Sequence, residues 1–213
     1  MAYHYPDARI IIFAKAPIAG TVKTRLIGKL NEQQAANLHK LMLSDTVNMA
    51  LDSKLAPVSL YCSPDTTHEL FQSFRGKGVI LRQQRGHNLG SRMANAMEET
   101  FNNEKNVVLI GSDCPVMDKQ YLSDAFDKLK KHETVIGPAE DGGYVLVGQN
   151  KLNPSMFKNI NWGTADVLNE TRQQLLKSNI DWYELETLWD VDRADDLRRE
   201  EILALMKNKT LDE

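Results

Sequence analysis

Residues 9–26 read RIIIFAKAPIAGTVKTRL, and this stretch decides the fold. Its first six residues are mostly apolar and β-branched, which predicts a short buried strand over 9–14. Pro17 and Gly20 then mark a turn, and Lys15, Lys23 and Arg25 bring three cations into a loop that we expect to lead into a helix. A strand, a glycine-containing loop and a helix form the arrangement in which many α/β proteins bind phosphate groups.

Outward from this stretch, strand and helix patterns alternate along the chain. We predict strands at 9–14, 57–62, 79–82, 106–111, 134–137 and 144–148, an edge strand at 182–188, and helices at 31–53, 65–74, 91–101, 119–130, 165–176 and 194–207. Asn31 followed by Gln34 marks the start of the first helix. This order predicts an α/β protein with a mainly parallel sheet, and because no linker or repeat divides the sequence, we expect one domain over 1–213.

The loop after the first strand supplies our candidates for binding nucleotide phosphates: Lys15, Gly20, Lys23, Thr24 and Arg25. Glycine allows the backbone to approach a ligand closely, and cations near a helix N-terminus are tolerated when an anion offsets them. The spacing fits neither the Walker A pattern nor GxGxxG, so it supports neither a P-loop NTPase nor a Rossmann dehydrogenase. The alternative is a solvated turn whose cations serve solubility.

Aspartates that follow two of the predicted strands are candidate metal ligands. Asp113 comes directly after an apolar strand, where a carboxylate could bind Mg²⁺ or Mn²⁺ beside the phosphate loop. Asp192 could complete the metal site, with Asp190 as the other possibility. The alternatives are a turn-forming or helix-capping role for Asp113 before Pro115 and a capping role for Asp192 at the closing helix.

A second glycine-rich segment, Asp141-Gly142-Gly143-Tyr144, lies between two predicted strands. We interpret Asp141 as the candidate catalytic carboxylate, with Glu140 as the other possibility, and Gly142, Gly143 and Tyr144 as a substrate pocket. The alternative is a structural hairpin, which Asp-Gly strongly favours. Arg92 is a further candidate for binding phosphate, with an ordinary helix start as its alternative.

Composition excludes several classes of protein. The chain has 213 residues and a formal net charge of −3, which argues against a broad basic surface for nucleic acid. Cys62 and Cys114 are too few for a disulfide framework and favour reduced thiols in the cytoplasm. We find no signal peptide and no apolar run of membrane-spanning length, and the five histidines show no zinc-hydrolase spacing.

Taken together, the motifs resemble a known family. They occur in matching order as KAPIAGTVKTRL at 15–26, LGSRM at 89–93, GSDCP at 111–115, GPAEDGGY at 137–144 and DVD at 190–192. The sequence resembles the bacterial glycosyltransferase-A-like proteins, often labelled nucleotide-diphospho-sugar transferases or arsenosugar-biosynthesis glycosyltransferases. It departs from the family in Ser112 and Arg193, where threonine is more common.

This resemblance implies a GT-A fold, an αβα sandwich that is also used by guanylyltransferases acting on the molybdenum cofactor and on phospholactate. It implies that Gly20, Lys23 and Arg25 lie near nucleotide phosphates and that Asp113 lies near a divalent metal, Mg²⁺ or Mn²⁺. We therefore expect a metal-dependent transferase that uses a nucleotide-sugar donor and a small-molecule acceptor. The alternatives are nucleotidyl transfer from a nucleoside triphosphate and a non-catalytic nucleotide-binding module.

Overall fold

A computed structural model describes residues 2–208 and contains a seven-stranded sheet. The strands are β1 (Ala8–Lys15), β2 (Val58–Ser63), β3 (Ile80–Gln83), β4 (Asn106–Ile110), β5 (Thr134–Pro138), β6 (Tyr144–Gln149) and β7 (Trp182–Glu184). Their order is β3-β2-β1-β4-β6-β5-β7, and β6 alone runs antiparallel to its neighbours. The predicted α/β fold with a mainly parallel mixed sheet is therefore confirmed.

Helices cover both faces of the sheet, as the αβα sandwich requires. They are α1 (Glu32–Ser53), α2 (Glu69–Arg75), α3 (Leu89–Phe101), α4 (Lys119–Leu129), α5 (Val167–Lys177) and α6 (Glu200–Asn208). Alternate residues of β1 explain the two layers, because Ile10 and Ile12 pack with α1, α2 and α4 while Ile11 packs with α3 and α5. Every helix within residues 2–208 is too short or too polar to cross a lipid bilayer.

The start of α1 agrees with its sequence signal. The Asn31 side chain accepts a hydrogen bond from the Gln34 backbone N–H at 2.8 Å, and the Gln34 side chain accepts one from the Asn31 N–H at 3.1 Å. This reciprocal capping satisfies two backbone donors that the first helical turn leaves free.

Three local predictions need correction. The cationic loop does not enter a helix directly: Lys23 has left-handed backbone angles, only a 3₁₀ turn at Thr24–Leu26 follows, and α1 begins at Glu32. The closing helix predicted at 194–207 is interrupted, because extended Arg199 separates a 3₁₀ helix at Ala194–Arg198 from α6. The edge strand at 182–188 is confirmed only for its first half, β7, which pairs with β5.

Strand order places a cleft at one edge of the sheet. The chain runs outward from β1 to β3 and then returns to β4 on the other side of β1, so the direction of winding reverses between β1 and β4. In open α/β sheets, ligands bind beyond the carboxyl ends of the strands at this reversal. The loops that follow Lys15 and Ile110 meet there.

Candidate active site

A cavity of about 530 Å³ lies beyond the carboxyl ends of β1 and β4. Its volume falls within the range of ordinary small-molecule and cofactor sites. Eight residues predicted from sequence line it: Lys15, Lys23, Thr24, Arg25, Arg92, Asp113, Tyr144 and Asp192. Residues from all five motifs thus meet around one space.

Lys23 is a buried cation that joins two of these motifs. Its Nζ lies 2.9 Å from Asp113 Oδ1 and donates a hydrogen bond of 2.6 Å to the Val191 carbonyl. Only 7% of the Lys23 side chain is exposed, so it does not belong to a solvated turn. The carboxylate of Asp113, rather than a bound anion at a helix N-terminus, offsets its charge in this structure.

Asp113 is contacted by a second basic residue, His39 of α1. The Nε2 atom of His39 lies 3.1 Å from the Lys15 carbonyl, and its Nδ1 atom lies 3.5 Å from Asp113 Oδ1. Neither His39 Nδ1 nor Asp113 Oδ1 has a hydrogen-bond partner of normal geometry among the described residues. Burial by itself raises the pKa of Asp113, but Lys23 and His39 together hold it well below its ordinary value, so the carboxylate is ionised at neutral pH.

Asp190 and Asp192 reach the same cavity from the segment after β7. Val191 between them is fully buried among Leu26, Leu38 and other residues of the loop and α1, which fixes the position of the two flanking carboxylates. Asp192 accepts a hydrogen bond from Arg25 Nη1, so it pairs with the loop that follows β1 rather than capping a helix. The Asp192 backbone N–H is itself bound by Asp196, at 3.0 Å.

Asp190 carries negative charge without a partner. Its carboxylate makes no hydrogen bond or ion pair with the residues that the structure describes. Burial, with the nearby charges of Asp141 and Asp113, raises the pKa of Asp190 to about 6. The carboxylates at this end of the cavity therefore repel one another.

A second cavity, of about 260 Å³, adjoins the first. The two share five lining residues: Arg25, Leu89, Tyr144, Asp190 and Asp192. The second cavity also contains Asp141, Gly143 and Trp162. Asp141 is held in place because its Oδ1 accepts a 2.8 Å hydrogen bond from the Gly143 N–H, while neighbouring Glu140 accepts one from Arg199.

Two predicted glycines line neither cavity. Gly20 has a φ of +77°, and a side chain there would approach the Glu32 carboxylate to 3.2 Å. Gly142 has a φ of +88°, and a Cβ would lie 2.1 Å from the Ala165 carbonyl oxygen. The Gly142 carbonyl also accepts a 2.8 Å hydrogen bond from Leu168, so this glycine joins the turn to the start of α5.

The main cavity also has two polar lining residues that lie outside the sequence motifs, His39 and Gln84. Neither belongs to a local motif. His39 lies on the buried face of a long helix, where its chain neighbours indicate only packing. Gln84 follows edge strand β3 in a stretch of polar residues, and only the fold brings it to the ends of β1 and β2.

A thiol also lines the main cavity. Burial raises the pKa of Cys114 to about 12, so its sulfur is uncharged at neutral pH and is a poor nucleophile.

The family of the chain follows from a comparison with family models. The model described as "Uncharacterized protein conserved in bacteria (DUF2064)" matches residues 46–164. The chain belongs to this family. The match includes the motifs around Arg92, Asp113 and Asp141, although the loop at 15–26 and the segment with Asp190 and Asp192 lie outside it.

Solved structures show the same fold. A protein named as a nucleotide-diphospho-sugar transferase from Desulfovibrio desulfuricans G20 is 28% identical and has a TM-score of 0.83, with 97% of this chain and 96% of that chain covered. A nucleotidyl transferase from Methanothermobacter thermautotroptrophicus is 13% identical, with a TM-score of 0.64 and coverage of 95% and 99%. Rv0371c from Mycobacterium tuberculosis H37Rv, solved in complex with manganese, is 16% identical, with a TM-score of 0.54 and coverage of 92% and 97%. The last two show the fold alone.

Two curated relatives are named 2-phospho-L-lactate guanylyltransferase. The protein from Methanobrevibacter smithii is 27% identical over 121 residues, which are 57% of this chain and 53% of that protein. The protein from Methanocaldococcus vulcanius is 25% identical over 170 residues, or 79% and 73% of the two chains. The match thus spans about half the length of the first relative. These names support an enzyme of the transferase class and confirm the resemblance stated from the motifs.

Proposed function

We propose that the chain is a nucleotidyltransferase that binds a nucleoside triphosphate in the larger cavity and a small acceptor in the adjoining one. The observation that carries the proposal is that Arg25, Asp190 and Asp192 line both cavities, so that a cation and two carboxylates lie where the cavities join. In this proposal Lys23, Arg25 and Arg92, which line the larger cavity, bind phosphate oxygens, and Asp141 and Asp190, which line the adjoining one, lie beside the acceptor. The guanylyltransferase relatives favour nucleotidyl transfer over the glycosyl transfer expected first from the motifs.

In this proposal an acceptor oxygen attacks the α-phosphorus of the triphosphate. A new P–O bond forms, the bond from the α-phosphorus to the α–β bridging oxygen breaks, and pyrophosphate leaves with that electron pair. Lys23 and Arg25 stabilise the charge that develops on the phosphates, which is the kind of contribution that preorganised donors make. Where the acceptor is a hydroxyl, its proton passes to the Asp141 carboxylate.

A divalent metal fits the donor set of the site. Among residues 2–208, no three His, Cys, Asp or Glu side chains are gathered closely enough to hold a metal by themselves. Mg²⁺ in nucleotide sites commonly takes only one or two carboxylates, with phosphate oxygens and water completing its shell. The unpartnered carboxylate of Asp190 and those of Asp113 and Asp192 can supply these ligands, and the bound metal would neutralise charge on the triphosphate.

The test measures binding and product together. Nucleoside triphosphates and nucleotide sugars are titrated by calorimetry with Mg²⁺, with Mn²⁺ and with a chelator, and pyrophosphate is assayed in the presence of 2-phospho-L-lactate and other small acids. We expect metal-dependent binding of a triphosphate, weakened in Asp113→Asn, and release of pyrophosphate. Release of a nucleoside diphosphate from a nucleotide sugar would instead establish glycosyl transfer, and no binding under any metal condition would contradict the proposal.

A further inference from the structure

The side chain of Gln84 is held at the edge of the main cavity by the backbone of two strands. Its Nε2 donates hydrogen bonds to the carbonyls of Tyr61 at 2.8 Å and Ala14 at 3.2 Å. Its own backbone N–H donates to the Cys62 carbonyl at 2.9 Å. Both the main chain and the amide of Gln84 are thereby fixed to the ends of β1 and β2, next to the cavity that Gln84 lines.

These bonds determine which atom Gln84 offers to a ligand. A backbone carbonyl can only accept, so the atom facing Ala14 and Tyr61 must be the amide nitrogen, and the reversed amide would place oxygen against oxygen. Both Nε2 hydrogens are used in this way. The Oε1 atom accepts no hydrogen bond from the described part of the chain, and it remains as a fixed acceptor at the cavity.

A fixed acceptor selects the part of a nucleotide that carries donors. Ionised phosphate oxygens have no hydrogen to donate, so they belong with Lys23, Arg25 and Arg92 and not with Gln84. Donors are found on the base and on the ribose. Among the common bases, guanine alone presents two adjacent N–H groups, N1–H and N2–H, that can both point at one carbonyl oxygen with two lone pairs.

Uracil forms a less favourable hydrogen bond with the same acceptor. Its single N3–H lies between two carbonyl oxygens, which an amide oxygen repels. Adenine and cytosine each offer one amino group beside a ring nitrogen that is itself an acceptor. We propose that Gln84 Oε1 selects guanine by accepting hydrogen bonds from its N1–H and N2–H groups, an inference that rests on the proposed nucleotide function.

Base analogues test this proposal in the unaltered protein. Affinities for GTP, ITP, 7-deaza-GTP and ATP are measured by calorimetry with Mg²⁺. ITP lacks the 2-amino group and should bind about tenfold more weakly than GTP, whereas 7-deaza-GTP keeps the N1 and N2 groups and should bind as GTP does. ATP should bind weaker still, by about a hundredfold.

The variant Gln84→Met removes the acceptor and should bring the ratio of GTP to ITP affinity close to one. Gln83→Met is the matched control, because the amide of exposed Gln83 binds the Pro64 carbonyl and does not line the cavity. A ratio that persists in Gln84→Met overturns the proposal. If that variant fails to fold, the comparison of GTP with ITP in the unaltered protein still decides, since equal affinities overturn the proposal.

The outcomes also separate this inference from the function on which it rests. Equal binding of all four triphosphates contradicts the selection of guanine by Gln84 but leaves nucleotide binding intact. This is the result expected if Gln84 contacts the ribose, which all four triphosphates share. Failure of every triphosphate to bind contradicts the proposed function itself.

Discussion

Two ion pairs in the same fold differ in how completely their polar atoms are satisfied. Arg172 and Glu184 form two parallel hydrogen bonds, of 2.8 and 2.6 Å, and Trp182 Nε1 donates a third to Glu184 at 3.0 Å. At the candidate site, Lys23 faces Asp113 at 2.9 Å, yet Asp113 Oδ1 and His39 Nδ1 both lack a hydrogen bond of normal geometry among the residues described. The group of Arg172, Glu184 and Trp182 beside β7 thus has its ion pair fully hydrogen-bonded. The group of Lys23, Asp113 and His39, which we call the site cluster, does not.

The proposed function offers a reason for this difference, since a site for a ligand need not satisfy all of its polar atoms within the protein. A buried polar group without a partner costs free energy, and such groups persist where function requires them. Asp190 is a further carboxylate at this site without a hydrogen-bond or ion-pair partner among the described residues. Burial and neighbouring carboxylates raise its pKa to about 6. Under the proposed function, a metal bound with a triphosphate would offset the negative charge of Asp190.

The largest expected effect is on catalysis. Lys23→Met removes a buried cation from the site, and we expect nucleotidyl transfer to slow by about 10²–10³-fold, the usual consequence of removing one preorganised donor. The measurement is the rate of pyrophosphate release at saturating triphosphate. Lys29→Met is the control, because Lys29 is an exposed cation of the same loop that does not line either cavity. Equal rates for the two variants would contradict a role for Lys23.

Some parts of the fold and of the candidate site can be predicted from local sequence patterns. The strand and loop at 9–26, Asp113 after β4 and the turn at Asp141 are each local patterns, and strand topology alone predicts that they meet at one edge of the sheet. The sequence also predicts the start of α1 at Asn31, because its capping partner Gln34 is only three residues away.

His39 and Gln84 could not be found in this way, since each acquires its role from distant partners. His39 contacts a carbonyl 24 residues earlier in the chain, and Gln84 contacts carbonyls 23 and 70 residues away. The loop was expected to lead into a helix, and only a 3₁₀ turn at Thr24–Leu26 comes between Lys23 and the start of α1 near its predicted position. Leu26 and Leu30 of that stretch pack against α1, Trp189 and Val191, and the local sequence does not reveal the contacts with the last two, which are distant in sequence.

A smaller effect is expected at the complete pair. Glu184→Gln should lower the free energy of unfolding by about 1 kcal/mol at neutral pH, because Arg172 loses its charged partner in a partly exposed position. The measurement is urea denaturation monitored by circular dichroism. Nucleotidyl transfer should stay unchanged, since Glu184 lines neither cavity. Glu133→Gln, which removes only a long surface ion pair of 3.8 Å, is the control and should have little effect.

This stabilisation has a defined dependence on pH. Arg172 lowers the pKa of Glu184 below its ordinary 4.5, so the native state binds fewer protons than the unfolded state between the two pKa values. The stabilisation is therefore fully present above pH 4.5 and is lost as the pH falls through the lowered pKa. A difference between wild type and Glu184→Gln that grows on acidification would contradict this assignment.

The smallest expected effect is an increase in the free energy of unfolding, and it concerns Asp190 at the candidate site. Asp190→Asn should raise the free energy of unfolding of the ligand-free protein by about 0.5–1 kcal/mol at pH 7.5, because an uncharged amide no longer repels Asp141 and Asp113 and is less costly to bury. Denaturant unfolding measures the change, and Asp195→Asn, which removes an exposed carboxylate paired with Arg198, is the control. The same substitution should weaken metal-dependent binding of a triphosphate. A loss of stability in Asp190→Asn would place this carboxylate with Glu184, among the groups that support the fold, and would remove it from the site.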